Sequence, residues 1–421
     1  MTLSPALDLF PLAAAVLAAL SCGLLGNFLV LRRLSLMGDA MSHSVLPGLV
    51  IAFMITGVRT APVMFIGATL AGVATVVLVE LIKRLGRVEP GAAMGVVFSV
   101  MFAFGVLLIE RAARNTDLDA SCVLHGQLES LAWTTDAPAS WVGVFDVATL
   151  AATPPQVWTL ALTVGLTIVL VVFLYKELRL AAFDPAMATA QGFNASVLHY
   201  VLMVFVAGAT VASFEAVGSI LVIAMLIVPA ATARLLTDRL LPQILVSVVV
   251  AIGAAVVGYA GSIGVPLLAG KREVNAAGSI TLALAGLLVL AALLGPRYGV
   301  LATAVRRARL RRTVALEDLL GSLYRQEERG VLPRTIDERV VRRARGRGFV
   351  RRDELALTDD GRAEAAALVR RHRLWESYLV ERAGLAADHV HVTAEQLEHL
   401  PSAMPPDADG SDPHGRPIPP A

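Results

Sequence analysis

Asp39 and His43 stand four residues apart in LSLMGDAMSHSVLPGLV (34–50), a stretch otherwise apolar enough for a membrane. On a helix, that spacing turns the carboxylate and the imidazole toward the same spot. Ionisable groups at membrane depth are costly and mark ion or substrate paths. A hard oxygen beside a neutral ring nitrogen suits Mn²⁺, Fe²⁺ or Zn²⁺ better than an apolar solute. The same spacing also fits a packed, hydrogen-bonded pair at a helix end.

A second group of such residues lies near the C-terminus. His372 and Glu376 are again four apart, and HVHVTAEQLEHL brings His391, Glu395, Glu398 and His399 at helical intervals. Glu395, Glu398 and His399 offer three ligands from one helix, leaving a divalent ion to complete its shell elsewhere. A solvated acidic helix face reads equally well. A third pair, His125 and Glu129 in CVLHGQLESLAW, is read as a solvated pair on an external cap helix.

The elements that carry these residues follow from composition. The chain of 421 residues is 56% hydrophobic with a mean hydropathy of +0.69, too apolar for a soluble domain. Residues 1–300 hold 15 Lys/Arg and 15 Asp/Glu, whereas the last 121 hold 21 and 19. Charge density thus rises from one residue in ten to one in three, which marks a membrane body followed by a soluble tail. Two cysteines, Cys22 and Cys122, give no disulfide framework or thiolate cluster. The apolar run that follows MTLSPALDLF has no basic segment before it and reads as a retained helix.

Runs of spanning length fall near 9–31, 61–82, 91–109, 157–175, 197–214, 216–236, 243–261 and 276–295, with 34–57 as a ninth. Arg32–Arg33, Lys83–Arg84–Arg87, Lys176–Arg179, Arg234–Arg239 and Arg297 share one face if nine helices cross with the N-terminus outside. Arg59, Arg111, Arg114, Lys271 and Arg272 fall on the other side. Abundant Gly and Ala permit close helix approach and a compact bundle. Pro229 is read as a packing kink or a hinge, and Glu215 as a charge at the mouth of a path. In the loop 176–194, Asp184 before Pro185 can cap a short helix that Gly192 ends. Such a helix is a docking element or a connector.

GDAMSHSVLPG (38–48), AAFDPAMATAQG (181–192) and VGSILVIAMLIVPAATARLL (217–236) together resemble the membrane subunit of ATP-driven importers of manganese, zinc or iron. The resemblance runs over nearly all of residues 5–298. It implies a permease in the cell (plasma or inner) membrane that works with a separate ATPase, an extracellular metal-binding protein and a second permease copy or paralogue. Such a chain binds no nucleotide, and no GxxxxGK[ST] loop occurs here. Phe183, Asp184, Pro185 and Gly192 match the loop that seats in the ATPase, and Asp39 and His43 match the metal path.

The tail opens on the basic VRRARLRRT, read as anchoring at the membrane surface. EDLLGSLY, LTDDGRAEAAALVRRHRLWESYL, VHVTAEQLEHL and DPHGRPIP resemble metal-dependent repressors that sense iron or manganese. That resemblance implies a primary metal site of Asp318, Glu395, Glu398 and His399 and an ancillary one of His372, Glu376 and His391. With no thiolate or thioether, the ligands lean to Mn²⁺, although Gly321 stands where manganese-type members often carry a carboxylate. Between Gly330 and Arg342 the chain is too short for a complete helix-turn-helix, which argues against DNA binding.

The expected fold is an all-α polytopic bundle of about nine transmembrane helices (1–298), a basic linker (299–312), and a mainly α, winged-helix-like cytoplasmic domain (313–421). The expected function is the membrane subunit of a divalent-metal importer whose tail senses metal. The rival readings are an importer of a chelated cofactor, such as a siderophore or corrinoid, and a membrane-tethered transcription regulator.

Overall fold

The computed structural model describes residues 5–57, 61–112, 128–131, 153–269, 274–330, 337–399 and 410–420. The chain forms two compact units, residues 1–302 and 303–421. In the first, α1 (Pro5–Leu31), α2 (Ser35–Thr56), α3 (Ala61–Gly86) and α4 (Pro90–Ala112) precede a 3₁₀ turn, Leu128–Ser130. Then come α5 (Pro155–Phe173), the short α6 (Tyr175–Phe183) and α7 (Pro185–Ala190), α8 (Ala195–Val217), α9 (Ser219–Leu236), α10 (Leu240–Ala269) and α11 (Ala276–Leu294). Among the described residues nine helices are long and apolar enough to cross a membrane: α1–α5 and α8–α11. The stretch 34–57, the weakest span by composition, is a full helix despite Asp39, His43 and Pro47.

Helix α1 is the axis of this unit, packed by α5, α8, α9 and α10, while α2 joins α3 and α4 to that core through α8 and α9. Small residues make these approaches possible. A Cβ on Gly26 of α1 would lie 1.8 Å from the carbonyl oxygen of Leu226 on α9, and one on Gly38 of α2 would lie 2.2 Å from the Leu226 side chain. Leu226, fully buried, is therefore wedged between α1 at Gly26 and α2 at Gly38, the residue before Asp39. Several polar groups inside the bundle pair with one another: Asn27 receives a hydrogen bond from Gln243 (3.1 Å), and Ser247 donates to the Gly23 carbonyl (3.0 Å).

Ends of the spans are fixed by specific pairs. Asp238, between α9 and α10, accepts from Arg297 and from the Tyr298 hydroxyl, and these two contacts hold its carboxyl below the usual range. At the opposite end Glu129 accepts from the backbone N–H of Ala276 at 2.7 Å and so caps α11. Glu129, expected in a solvated pair with His125, is exposed and in addition makes this cap, whereas His125 lies outside the described residues.

The second unit contains α12 (Val300–Arg329), which begins at the unit boundary, then α13 (Glu338–Gly346), α14 (Asp359–Glu381) and α15 (His391–Leu397). Its core joins Leu316, Leu320 and Leu323 of α12 to Val340, Ala344, Val350, Leu357 and Ala365. Gly330 ends α12 with φ +70°, a conformation that suits glycine. Val350 and Leu357 form an isolated antiparallel bridge, and Thr358 caps α14 by accepting from Gly361 N–H. The stretch expected as a linker, 299–312, lies mostly within α12.

Gly26→Val should disrupt the α1–α9 contact, because the new side chain meets backbone that cannot rotate away. Overpacking of this kind costs about 1–3 kcal/mol or more, and a lowered unfolding temperature in detergent is the expected result. An unchanged melt would contradict the close approach.

Candidate functional site

Two groups of residues bear on function, one in each unit. In α2, His43 Nε2 lies 3.4 Å from Asp39 Oδ1, with the histidine side chain 21% and the aspartate 36% exposed. With a helical rise of about 1.5 Å per residue, Asp39 lies about 6 Å and His43 about 12 Å along α2 from its start at Ser35, both in its first half. Ser42 and Ser44 donate to the carbonyls of Asp39 and Met41 on their own helix (2.8 and 2.7 Å) and leave the pair uncontested. Pro47 has no N–H to give the carbonyl of His43, so a backbone oxygen is released one turn away.

The imidazole of His43 is held edge-on by Phe98 and Phe102 of α4, with centroids 4.8 and 5.6 Å away. Sequence reading missed both phenylalanines, since an i,i+4 aromatic pair on an apolar helix looks like ordinary packing. Glu215 sits in the last turn of α8 and accepts from Gln156 at 3.3 Å, away from Asp39. Asp184 caps α7 by accepting from Met187 N–H at 2.9 Å, Pro185 opens it, and Gly192 follows it with φ +89°. Phe183 and Met187 stand exposed beside this short helix, while Ala181, Ala188 and Leu198 anchor it from below.

In the second unit the histidines and carboxylates converge. His372 Nε2, His391 Nδ1 and Glu376 Oε1 form a triangle with edges of 3.0, 2.9 and 3.1 Å. Three such atoms facing one point can be bridged by ring protons or can share one cation. An octahedral ion with bonds near 2.1 Å separates adjacent ligands by about 3.0 Å, whereas a tetrahedral one separates them by about 3.4 Å. The triangle fits the first geometry. Glu376 is fully buried and its Oε2 has no partner, which leaves a second oxygen available.

The neighbouring group comprises Asp318 of α12 with Glu398 and His399 after α15. His399 Nε2 is 3.2 Å from Asp318 Oδ1 and 3.7 Å from Glu398 Oε1. Glu317, which sequence reading missed, accepts from His399 Nδ1 at 2.6 Å and so turns Nε2 toward the site. Glu398 belongs to both groups. Its other oxygen lies 2.6 Å from His372 Nδ1, so one buried carboxylate spans the two clusters. Glu395 is exposed on α15 and outside the converging atoms. His414, also missed, brings Nε2 to 3.9 Å from Glu376. Its segment is pinned by Asp412, which accepts from His414 and Arg416 N–H, and by Arg373, which donates to the Pro417 carbonyl.

Electrostatics agree with this arrangement. Burial opposes charge on His372, but the Glu376 and Glu398 carboxylates outweigh it and hold the pKa above its ordinary value. Burial would raise Glu376; His372 and His391 overcome that and bring it down to about 2. Burial also raises Asp318, with His399 opposing and Glu398 and Glu395 adding to the rise.

A sequence model described as the ABC 3 transport family matches residues 9–135 and 146–295. The chain belongs to that family. It is a multi-pass membrane permease subunit of an ABC transport system, not the ATPase. A second model, the metal binding and dimerisation domain of iron dependent repressors, matches residues 358–403, which include both clusters apart from Asp318, Glu317 and His414. The permease is 44% identical over 248 residues to the manganese transport system membrane protein MntD of Bacillus subtilis (strain 168), covering 59% of this chain and 81% of that protein. It is 34% identical over 311 residues to the zinc transport system membrane protein TroD of Treponema pallidum, covering 72% and 77%. A solved chain, from PsaBC of Streptococcus pneumoniae in complex with Fab, superposes with a TM-score of 0.55 at 28% identity, covering 69% of this chain and 92% of that one.

Glu398→Gln should weaken metal binding by the tail about ten- to a hundredfold, as loss of an orienting carboxylate does, and Glu395→Gln should change it much less. Equilibrium Mn²⁺ binding to the full chain measures both; equal effects would refute the shared role of Glu398. The pH dependence has a definite sign. A raised His372 pKa stabilises the metal-free fold below the ordinary histidine value and is lost as pH rises through the raised one. Depressed Glu376 contributes above the ordinary carboxylate value and is lost as pH falls through about 2. Metal must displace the His372 proton, so half-saturation should move to higher Mn²⁺ on acidification through the raised pKa.

Proposed function

We propose that this permease imports a divalent transition metal, Mn²⁺ first, with Zn²⁺ and Fe²⁺ as the alternatives, through a path lined by Asp39 and His43. The observation that carries the reading is a carboxylate–imidazole pair 3.4 Å apart within a membrane span of an ABC 3 family chain. Relatives described as manganese and zinc transport proteins support the substrate class. Two protein ligands and a released carbonyl bind weakly enough to let the ion go. In this reading the N-terminus is outside, residues 1–298 form the permease domain, and the tail (313–421) is cytoplasmic. A separate ATPase receives the loop of Phe183, Asp184, Pro185 and Gly192, an extracellular binding protein delivers the metal, and a second permease copy or paralogue completes the assembly.

The tail in this account is a metal sensor, with His372, Glu376 and His391 as one site and Asp318, Glu398 and His399 as the other; Glu395 joins the second only if α15 shifts. The bridged turn Val350–Leu357 after α13 supports a shortened winged-helix outline that lacks room for a recognition helix. Metal binding there lowers transport when cytoplasmic metal is plentiful, which requires unequal metal affinity in the active and inactive states.

Cells expressing the chain with its partners should accumulate one metal by mass spectrometry, and Asp39→Ala and His43→Ala should abolish that gain at matched protein levels. Silent substitutions would favour a chelate importer. Removal of residues 305–421 should leave uptake running when internal metal is high; identical repression with and without the tail would refute the sensor.

A further inference from the structure

The membrane unit carries a second polar feature, where α1 ends and the chain enters α2. A cleft of about 500 Å³ opens where the ends of α1 and α3 meet α6, α7 and the start of α8. Four cations line it, Arg32 and Arg33 after α1 and Lys83 and Arg84 at the end of α3, against the single carboxylate of Glu80. Glu80 accepts from both Lys83 and Arg84 at 3.0 Å, so three positive charges remain in surplus. Arg32 donates to His199 Nδ1 at 3.1 Å, a contact that fixes that ring nitrogen as an acceptor and the guanidinium at the cleft wall. Its Nε is buried and without a partner.

Positive residues at span ends ordinarily lie spread in water. Here they converge on a concave space of small-ligand size, with the Arg32 guanidinium anchored in its wall by His199. The surroundings are amphiphilic: Leu31 and Leu34 line the cleft, and Leu81 and Leu85 of α3 are exposed beside Lys83 and Arg84. A free anion would leave those apolar surfaces unused. Basic pockets between membrane helices hold anionic headgroups.

We propose that this cleft binds the phosphate headgroup of an anionic phospholipid, with Arg32, Arg33, Lys83 and Arg84 as its cationic contacts and acyl chains along α3. Because Ala181, Ala182 and Pro185 form the facing wall, the lipid lies against the short helix pair α6–α7. Occupancy then sets how firmly that pair is held.

The full chain, purified in mild detergent, is exchanged into vesicles of phosphatidylcholine with or without phosphatidylglycerol, and retained lipid is counted by mass spectrometry. Phosphatidylglycerol should be enriched over its share of the vesicle, and Arg33→Gln and Lys83→Gln should each reduce that enrichment about fivefold. Excess inorganic phosphate should not displace it. Equal retention of both lipids by the wild-type chain overturns the proposal and needs no variant to fold. Displacement by phosphate overturns it in favour of a free anion. Unchanged lipid with weakened ATPase co-purification in the variants overturns it in favour of a protein contact.

Discussion

A carboxylate and an imidazole within a membrane span set the terms for the rest of the permease. A charged side chain inside a span is costly to insert, up to about 2.5–3.5 kcal/mol or more at the centre. Asp39 and His43 lower that cost by facing each other at 3.4 Å. Around them the helix is otherwise self-sufficient, with Ser42 and Ser44 bonded to its own carbonyls. The pair is also held in place from outside the helix. Leu226 of α9 fills the space that Gly38 leaves open, and Phe98 and Phe102 of α4 flank the imidazole. Small residues at the contacts allow the backbones to come this close, so the abundance of Gly and Ala and the position of one polar pair are parts of one arrangement.

The tail poses a different problem, since part of its histidine–carboxylate cluster is buried. Glu376 and Glu398 are fully buried carboxylates, and each faces at least one histidine. Removing either partner would leave a charge in a dry place, which is strongly unfavourable. A proton on His372 relieves the charge when metal is absent and a divalent ion relieves it better. Glu398 touches both groups, so occupancy of one alters the field at the other. In the proposed sensor, that coupling is the physical basis of a response to metal.

Much of this was legible in the sequence. Long apolar runs are unambiguous, and each expected run falls on one observed helix, most ends agreeing within about four residues, with α10 running further, to Ala269. The pairs Asp39–His43 and His372–Glu376 were readable because four residues make one helical turn. Glu317, His414 and the two phenylalanines were not. Glu317 acts on His399 across 82 positions, a relation that no local period encodes. His414 reaches the site only because Asp412 and Arg373 fold its segment onto α14. Glu395 shows the opposite case: helical spacing puts it beside Glu398 and His399, and its charge acts on Asp318, yet it is exposed and outside the converging atoms. The short α6–α7 pair was anticipated as one capped helix because Asp184–Pro185 is a start signal with a local cause, while the preceding turn has none.

The central claim is that charge at Asp39 carries the metal. The most direct measurement is ATP-driven uptake of labelled Mn²⁺ into proteoliposomes holding the complete transporter, with Asp39→Asn in place of the wild-type chain. Asparagine keeps the size and a carbonyl oxygen but not the charge. The account predicts that uptake collapses while ATPase assembly and the unfolding temperature are preserved. Uptake at the wild-type rate would contradict it and move the path elsewhere in the bundle.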